Sequence, residues 1–308
     1  MLLGRSNLRS KKFNWGLMAL ALPGMLFLFA IYYVPLFGLV IPFKNIDYSK
    51  GILGSDWVDP IFKNFDYFFK SQDALNITRN TLMLNAIFIA TTMVLSVALS
   101  ICMYELGKKR VKLFQTCLFV PYFISWVVAS YIMYALLSPD LGVIPQILRS
   151  LGRAVPNFYN EPKWWHMFLS LSYIWKNAGY FTLLFYATLI GLDTSRIEAA
   201  SIDGASRLQS IRFIILPYLQ PTIVLLAILQ IGRIFYADFG MFFFLPRNSG
   251  TLYKATDVFD TYVYRALRVT GDISMSSAMG LFQSVMGFAL VLATNLTVKK
   301  INKDYALF

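Results

Sequence analysis

Six apolar runs divide the chain, at roughly 16–40, 82–104, 114–137, 167–190, 219–238 and 277–298. Each approaches or exceeds the ~20 residues a helix needs to cross a hydrocarbon core of about 30 Å. The pattern predicts an all-α membrane protein with six transmembrane helices. Residues 16–308 form one transmembrane domain behind a polar N-terminal segment, 1–15. No Gly/Ser-rich linker, low-complexity tract or internal repeat divides it further. Apolar sequence continues past Ala19-Leu20-Ala21 to about Val40, whereas the core of a cleaved signal ends before its cleavage site. The first run is therefore expected to be a retained helix, kinked near Pro23 or Pro35.

Polar sequence between the fourth and fifth runs is the most patterned in the chain. Ser195 and Glu198 have the spacing of a capping box, in which a hydroxyl and a carboxylate satisfy each other's backbone amides. Gly204 supplies the left-handed stop that commonly ends a helix. A helix of about two turns, roughly 12 Å long, is predicted between them. Ser206 and Gln209 repeat the box and open a second short helix, which Pro217 is expected to end or kink. The result is a compact helix-turn-helix at the mouth of the membrane domain.

Composition agrees with a membrane chain: 57% of residues are hydrophobic and only 14% charged. The net charge of +12 changes the picture only through its placement. Arg5, Arg9, Lys11 and Lys12 precede the first run. Lys108, Lys109, Arg110 and Lys112 fill the second connection, and Lys299, Lys300 and Lys303 follow the last run. With six spans these segments share one side, which the positive-inside rule makes cytoplasmic along with both termini. The charge is topological, and nucleic acid is excluded as a partner. Cys102 and Cys117 fall at cytoplasmic ends of spans and read as inert small residues, not a disulfide.

Catalytic and cofactor motifs are missing. There is no phosphate-binding G-x-x-x-x-G-K-[ST], no G-x-S-x-G, and a single histidine cannot make H-E-x-x-H. That histidine, His166, sits in Lys163-Trp164-Trp165-His166, which reads as an interfacial aromatic belt. The chain is expected to be no enzyme and to bind no cofactor or metal itself.

Two cations break the apolar pattern, Lys176 in the fourth run and Arg233 in the fifth. A charge at the centre of a span costs about 2.5–3.5 kcal/mol on insertion scales, so it ordinarily faces a cavity or a partner. Around them stand Tyr173, Trp175, Asn177, Tyr180, Gln230, Tyr236 and Asp238. Hydroxyls, amides and flat aromatic faces suit a sugar path, and two cations would suit an anionic oligosaccharide such as one containing uronates. Tyr173, Lys176, Asn177, Arg233, Tyr236 and Asp238 are the candidate path residues. Internal pairing of Arg233 with Asp238 stands beside this reading, although five residues place them about 140° apart on a helix. Further on, Pro246, Asn248, Ser249 and Gly250 predict a turn, and Asp257 to Leu267 a helix lying in the membrane interface. Ser276, Gly280 and Ser284 have small-x3-small spacing, assigned to bundle packing ahead of a subunit seam.

The polar stretch carries the sharpest likeness. Glu198, Ala199, Ala200, Gly204, Ile214, Leu216 and Pro217 fit the pattern E-A-A-x3-G-x9-I-x-L-P. The stretch therefore resembles the cytoplasmic loop of permease subunits in binding-protein-dependent ABC importers. The resemblance implies that loop 191–218 docks on an ATPase and couples to its closure. Ala199, Ala200 and Gly204 would allow close approach there, and Glu198 and Asp203 would offer charge. Asn80-Thr81-Leu82, Pro121-Tyr122-Phe123-Ile124-Ser125-Trp126 and the aromatic stretch Gly232–Leu267 extend the likeness. They resemble the maltose-type group, in its subgroup for polysaccharide fragments and alginate. A member would work with a second homologous permease and two ABC ATPase subunits that carry ATP and Mg. It would also need an extracytoplasmic solute-binding protein, an oligosaccharide substrate and the lipid of a bacterial cytoplasmic membrane. The competing reading is a self-contained channel or secondary carrier for a polar or anionic solute. That would account for Lys176 and Arg233 but not for the loop.

Overall fold

The computed structural model describes residues 15–306, so Arg5, Arg9, Lys11 and Lys12 lie outside the described residues. Helix α1, Trp15–Leu28, runs into a π turn at Phe29–Tyr33 and a 3-10 segment at Val34–Phe43. Pro23 sits inside α1 without ending it, and the winding changes just before Pro35. Then come α2 (Ala74–Tyr104), α3 (Lys108–Phe123), α4 (Trp126–Leu137), α5 (Trp165–Ile190), α6 (Ser195–Ile202) and α7 (Arg207–Ser210). A π turn at Ile211–Ile215 joins α7 to α8 (Leu216–Ile231). Short helices α9 (Phe239–Phe244) and α10 (Phe259–Arg265) precede the last long helix, α11 (Ile273–Ile301).

Among the described residues four segments are long and apolar enough to cross a membrane: Trp15–Phe43, Ala74–Tyr104, Arg207–Ile231 and Ile273–Ile301. The α3–α4 pair would make a fifth, but it is bent by 97° at Ile124-Ser125, so the third run is not one straight helix. Helix α5, with 26 residues, is long enough but too polar to meet the same standard. Its packing explains why. It lies against α2, α3 and α8, so its polar side chains meet protein.

Small residues set these contacts. A Cβ on Gly179 of α5 would lie 1.8 Å from the Leu118 carbonyl oxygen of α3, so only glycine fits there. Ser96 of α2 donates its hydroxyl to the Ala178 carbonyl of α5 at 3.0 Å. Helix α11 comes close to the end of α8 at Gly287, where a Cβ would meet the Gly232 carbonyl oxygen at 2.8 Å. The predicted Ser276, Gly280 and Ser284 stripe is used only in part. Ser276 donates to the Asp272 and Val263 carbonyls and Ser284 pairs with the Tyr236 hydroxyl, while Gly280 faces open space.

Parts of two expected interfacial elements are buried in protein instead. Val258 and Phe259 are fully buried, and the Phe259 ring packs on Phe68, Phe235 and Phe282. Helix α10 is covered by protein, and Arg265 closes an ion pair with Asp257 over it. Trp165 is likewise fully buried and donates its indole N–H to the Phe158 carbonyl at 2.7 Å, which removes it from an aromatic belt. The expected turn after Pro246 is present, with Arg247 and Asn248 at positive φ. Cys102 and Cys117 are both free and exposed.

Candidate functional site

Two places gather the residues singled out in the sequence. At the first, helix α6 begins one residue earlier than the capping-box reading requires. Thr194 is its N-cap and makes no side-chain cap bond. Ser195 is already helical, and its amide donates to Asp193 Oδ1 at 3.0 Å. Donors from Ser195, side chain first and then backbone, hold the Asp193 carboxyl below its ordinary range. The expected Ser195–Glu198 box is thus replaced by an Asp193 turn. Glu198 stays in the first turn, where the helix dipole favours an acid.

The remaining loop follows its pattern closely. Gly204 has φ +84°, and the Ala205 amide donates to the Ala200 carbonyl at 2.9 Å, closing a Schellman turn. Ser206 and Gln209 form a reciprocal capping box, at 3.4 and 2.7 Å. Pro217 does not end the second helix. The chain winds through the π turn at 211–215 and continues as α8, with Pro217 in its first turn, where a missing N–H costs least. Ile214 and Leu216 pack on the cluster that holds Phe185, Leu189, Ile215 and Leu219. These two pattern positions anchor the loop to the helices. Elsewhere on the loop Ile202, Leu208 and Phe213 are exposed at 87%, 74% and 68%, alongside exposed Glu198, Asp203 and Arg207.

Mid-chain polar residues make the second place. After α8 the backbone is irregular from Arg233 to Asp238, so the fifth run does not stay helical to its end. The freed carbonyls are taken up by side chains from neighbouring helices. Asn85 of α2 donates to the carbonyls of Ile234 and Tyr236 at 2.8 and 3.1 Å. Gln283 of α11 donates to the Phe235 carbonyl at 2.8 Å, and the Ala237 amide donates to Asp260 Oδ2 at 2.7 Å. Non-helical backbone inside a membrane is tolerated only where protein or a water-filled cavity satisfies it.

A cavity of 230 Å³ opens along this segment. Tyr173, Asn177, Gln230, Arg233, Tyr236 and Asp238 are among its lining residues. A second cavity, 610 Å³, shares Tyr173, Asn177, Gln230 and Arg233 and adds Tyr122 and Tyr180. Five of the six candidate path residues therefore meet at one cavity. Lys176 is the exception. Its Nζ donates to the Tyr122 carbonyl at 2.8 Å and to the Ile124 carbonyl, at the break between α3 and α4. Arg233 is exposed and makes no ion pair among the described residues, so internal pairing with Asp238 is not found. Asp238 instead accepts from Trp126 Nε1 at 2.5 Å and caps α9 through the Met241 amide.

Asn85, Gln283 and Asp260 were not picked out from the sequence, and Trp126 only as the end of the Pro121–Trp126 motif. Asn85 carried a usable signal, as the lone amide in an otherwise apolar run, and Gln283 shares its run with one other amide, Asn295.

Several long apolar helices in one chain, with irregular backbone satisfied internally at their centre, define a multi-pass membrane protein. The chain belongs to the binding-protein-dependent transport system inner membrane components, a family whose description matches residues 96–303. It is 33% identical over 295 residues to Protein LplB of Bacillus subtilis, covering 96% of this chain and 91% of that one. It is also 33% identical over 284 residues to the polygalacturonan/rhamnogalacturonan transport system permease protein YteP of the same organism, covering 92% and 87%. Among solved structures it is similar to a chain of a bacterial ABC transporter involved in the import of the acidic polysaccharide alginate. There the TM-score is 0.85, with 29% identity and coverage of 94% of this chain and 96% of that one.

Proposed function

We propose that this chain is the permease subunit of an ATP-driven importer for acidic oligosaccharides. It has six spans with both termini in the cytoplasm. It pairs with a second homologous permease, two ABC ATPases carrying ATP and Mg, and an extracytoplasmic solute-binding protein. Loop 191–218 is the ATPase contact: Glu198, Ala199, Ala200, Asp203 and Gly204 face the partner, and Ile214, Leu216 and Pro217 root the loop in the bundle. The substrate path runs past Tyr173, Asn177, Arg233, Tyr236 and Asp238.

The observation that carries the acidic reading is Arg233, a cation open on a cavity walled by hydroxyls, amides and rings and left without a carboxylate partner. The named relatives support it, since alginate and polygalacturonan are both polymers of uronic acids. Affinity purification in mild detergent tests the assembly: an ATPase and a second permease are expected in stoichiometric amounts. A chain that purifies alone would favour a self-contained carrier.

The charge reading has its own test. A hydrogen bond to a charged group is worth about 2 kcal/mol, or roughly thirtyfold in affinity. Arg233→Gln should raise KM for a uronate oligosaccharide by about that factor and leave a neutral oligosaccharide of equal length unaffected. If the wild-type transporter carries the neutral sugar as well as the acidic one, the acidic assignment is wrong.

A further inference from the structure

We propose that Lys176, Trp126 and Asp238 form a positioning unit that sets the angle of the α3–α4 elbow, with Lys176 acting on backbone carbonyls and not on substrate charge. Its activity readout rests on the transport reading above; its structural readout does not.

The elbow is a weak point on first principles. Pro121 lies in the last turn of α3, the chain extends through Ile124 and Ser125, and α4 restarts with Ser125 accepting from the Val128 amide at 3.3 Å. Carbonyls at such a break have no helical partner and must be satisfied some other way. Lys176, reaching across from α5, supplies one ammonium to two of them, Tyr122 and Ile124. The same Nζ lies 5.3 Å from the centre of the Trp126 ring and 5.7 Å from that of Tyr122. An indole is negative on its face and positive at its edge. Trp126 has a cation over its face and, at its N–H edge, the Asp238 carboxylate at 2.5 Å. The indole thus bridges two opposite charges that do not touch each other.

Each end of this bridge holds a different part of the fold. Lys176 fixes the end of α3. Asp238 belongs to the irregular segment on the cavity and also caps α9. Helix α9 backs closely onto the indole, since a Cβ on Gly240 would meet Trp126 Cδ1 at 2.8 Å. The Tyr122 side chain is in turn a wall of the 610 Å³ cavity and stacks on Tyr180, with ring centres 4.9 Å apart. A change in elbow angle would therefore move a wall of the path, and a change at Asp238 would reach the elbow through Trp126.

The test is a distance. With Cys102→Ser, spin labels on native Cys117 of α3 and on Ile132→Cys of α4 straddle the elbow, and pulsed EPR is recorded on the chain with whatever subunits copurify, in nanodiscs. The parent is expected to give one narrow distribution. Lys176→Met should broaden or shift it, and Lys176→Arg, which still offers several donors to the two carbonyls, should restore it. Trp126→Phe keeps a ring but loses the N–H, and should broaden it as well. It decides the matter if Lys176→Met does not fold. Distributions unchanged in both variants would overturn the proposal. In transport, Lys176→Met should lower turnover without moving the ratio of KM for acidic and neutral oligosaccharides. A shift in that ratio like that of Arg233→Gln would make Lys176 a substrate-reading residue and also overturn it. Failure to transport any acidic oligosaccharide would sink the functional reading and leave the elbow result standing.

Discussion

Lys176, Asn85 and Gln283 share a task that their chemistry explains. Each is a strong donor in an apolar segment, and each is aimed at backbone carbonyls that a chain break has freed. Leaving such a group unpaired costs about 1–3 kcal/mol, so donors and breaks must come together. Arg233 has no such employment, which is why it and not Lys176 is assigned to substrate. Close backbone contact is the other requirement at this scale, and it sits on single glycines. At Gly179 the obstructing atom is the Leu118 carbonyl oxygen, which no side-chain rotation can remove. Gly179→Ala is therefore expected to cost about 1–3 kcal/mol through overpacking, lowering the thermal midpoint in detergent by several degrees. Gly280→Ala, facing open space, is the control and should leave the midpoint in place. Equal midpoints for the two variants would mean that α3 and α5 separate freely.

Elements were legible to the extent that their signals lie in side chains. The apolar runs mark where α2, α8 and α11 lie, and the Gly204 stop and the Ser206–Gln209 box appear in their predicted places. Chain breaks were not legible, because hydropathy counts side chains and says nothing about backbone hydrogen bonds. Ile124-Ser125 interrupts an apolar run without lowering it much, and at Arg233–Asp238 the charges are visible in the sequence but the loss of helix is not. Helix α10 was placed in the interface for a related reason: Phe259, Val263 and Ala266 share one side of it, and sequence does not show that Phe68, Phe235 and Phe282 pack on Phe259. The proposed coupling role of the loop asks for a rigid root and a free face. One end is rooted through Ile214 and Leu216, the other carries exposed Ile202 and Leu208, and a two-state machine responds only to differential binding of its states. Glu198→Lys reverses the charge on its first turn. Gly204→Val forces a β-branched residue to φ +84°, a strain of about 1–3 kcal/mol. Both variants should reach the membrane in normal amounts yet lose transport and substrate-stimulated ATP hydrolysis in the assembled complex. Ordinary stimulation in both would remove the loop from coupling.

For the whole molecule the open question is the path of α5. It is the least lipid-like of the long helices and among the most enclosed, and these are two faces of one fact. A helix surrounded by α2, α3 and α8 can carry Lys176 and Asn177 because neither has to meet hydrocarbon. A lipid-exposed helix such as Trp15–Phe43, whose most apolar window is 0% buried, can carry none. The proposed six-span topology takes α5 across the membrane despite its polarity and puts the segments at its two ends on opposite sides. The positive segments around Lys109 and Lys299 then fall on the same side as the α6–α7 loop, as charge bias requires. Cysteines placed one at a time at Leu141 and Ile202, exposed at 80% and 87%, read this directly in a background with Cys102 and Cys117 replaced by Ser. A membrane-impermeant maleimide should label Leu141→Cys in right-side-out vesicles and Ile202→Cys only in inverted ones. Labelling of both positions from one side would mean that α5 does not cross. The six-span topology would then have to be given up; with both positions labelled in right-side-out vesicles the loop would also face away from the ATP-bearing compartment, and the coupling role would go with it.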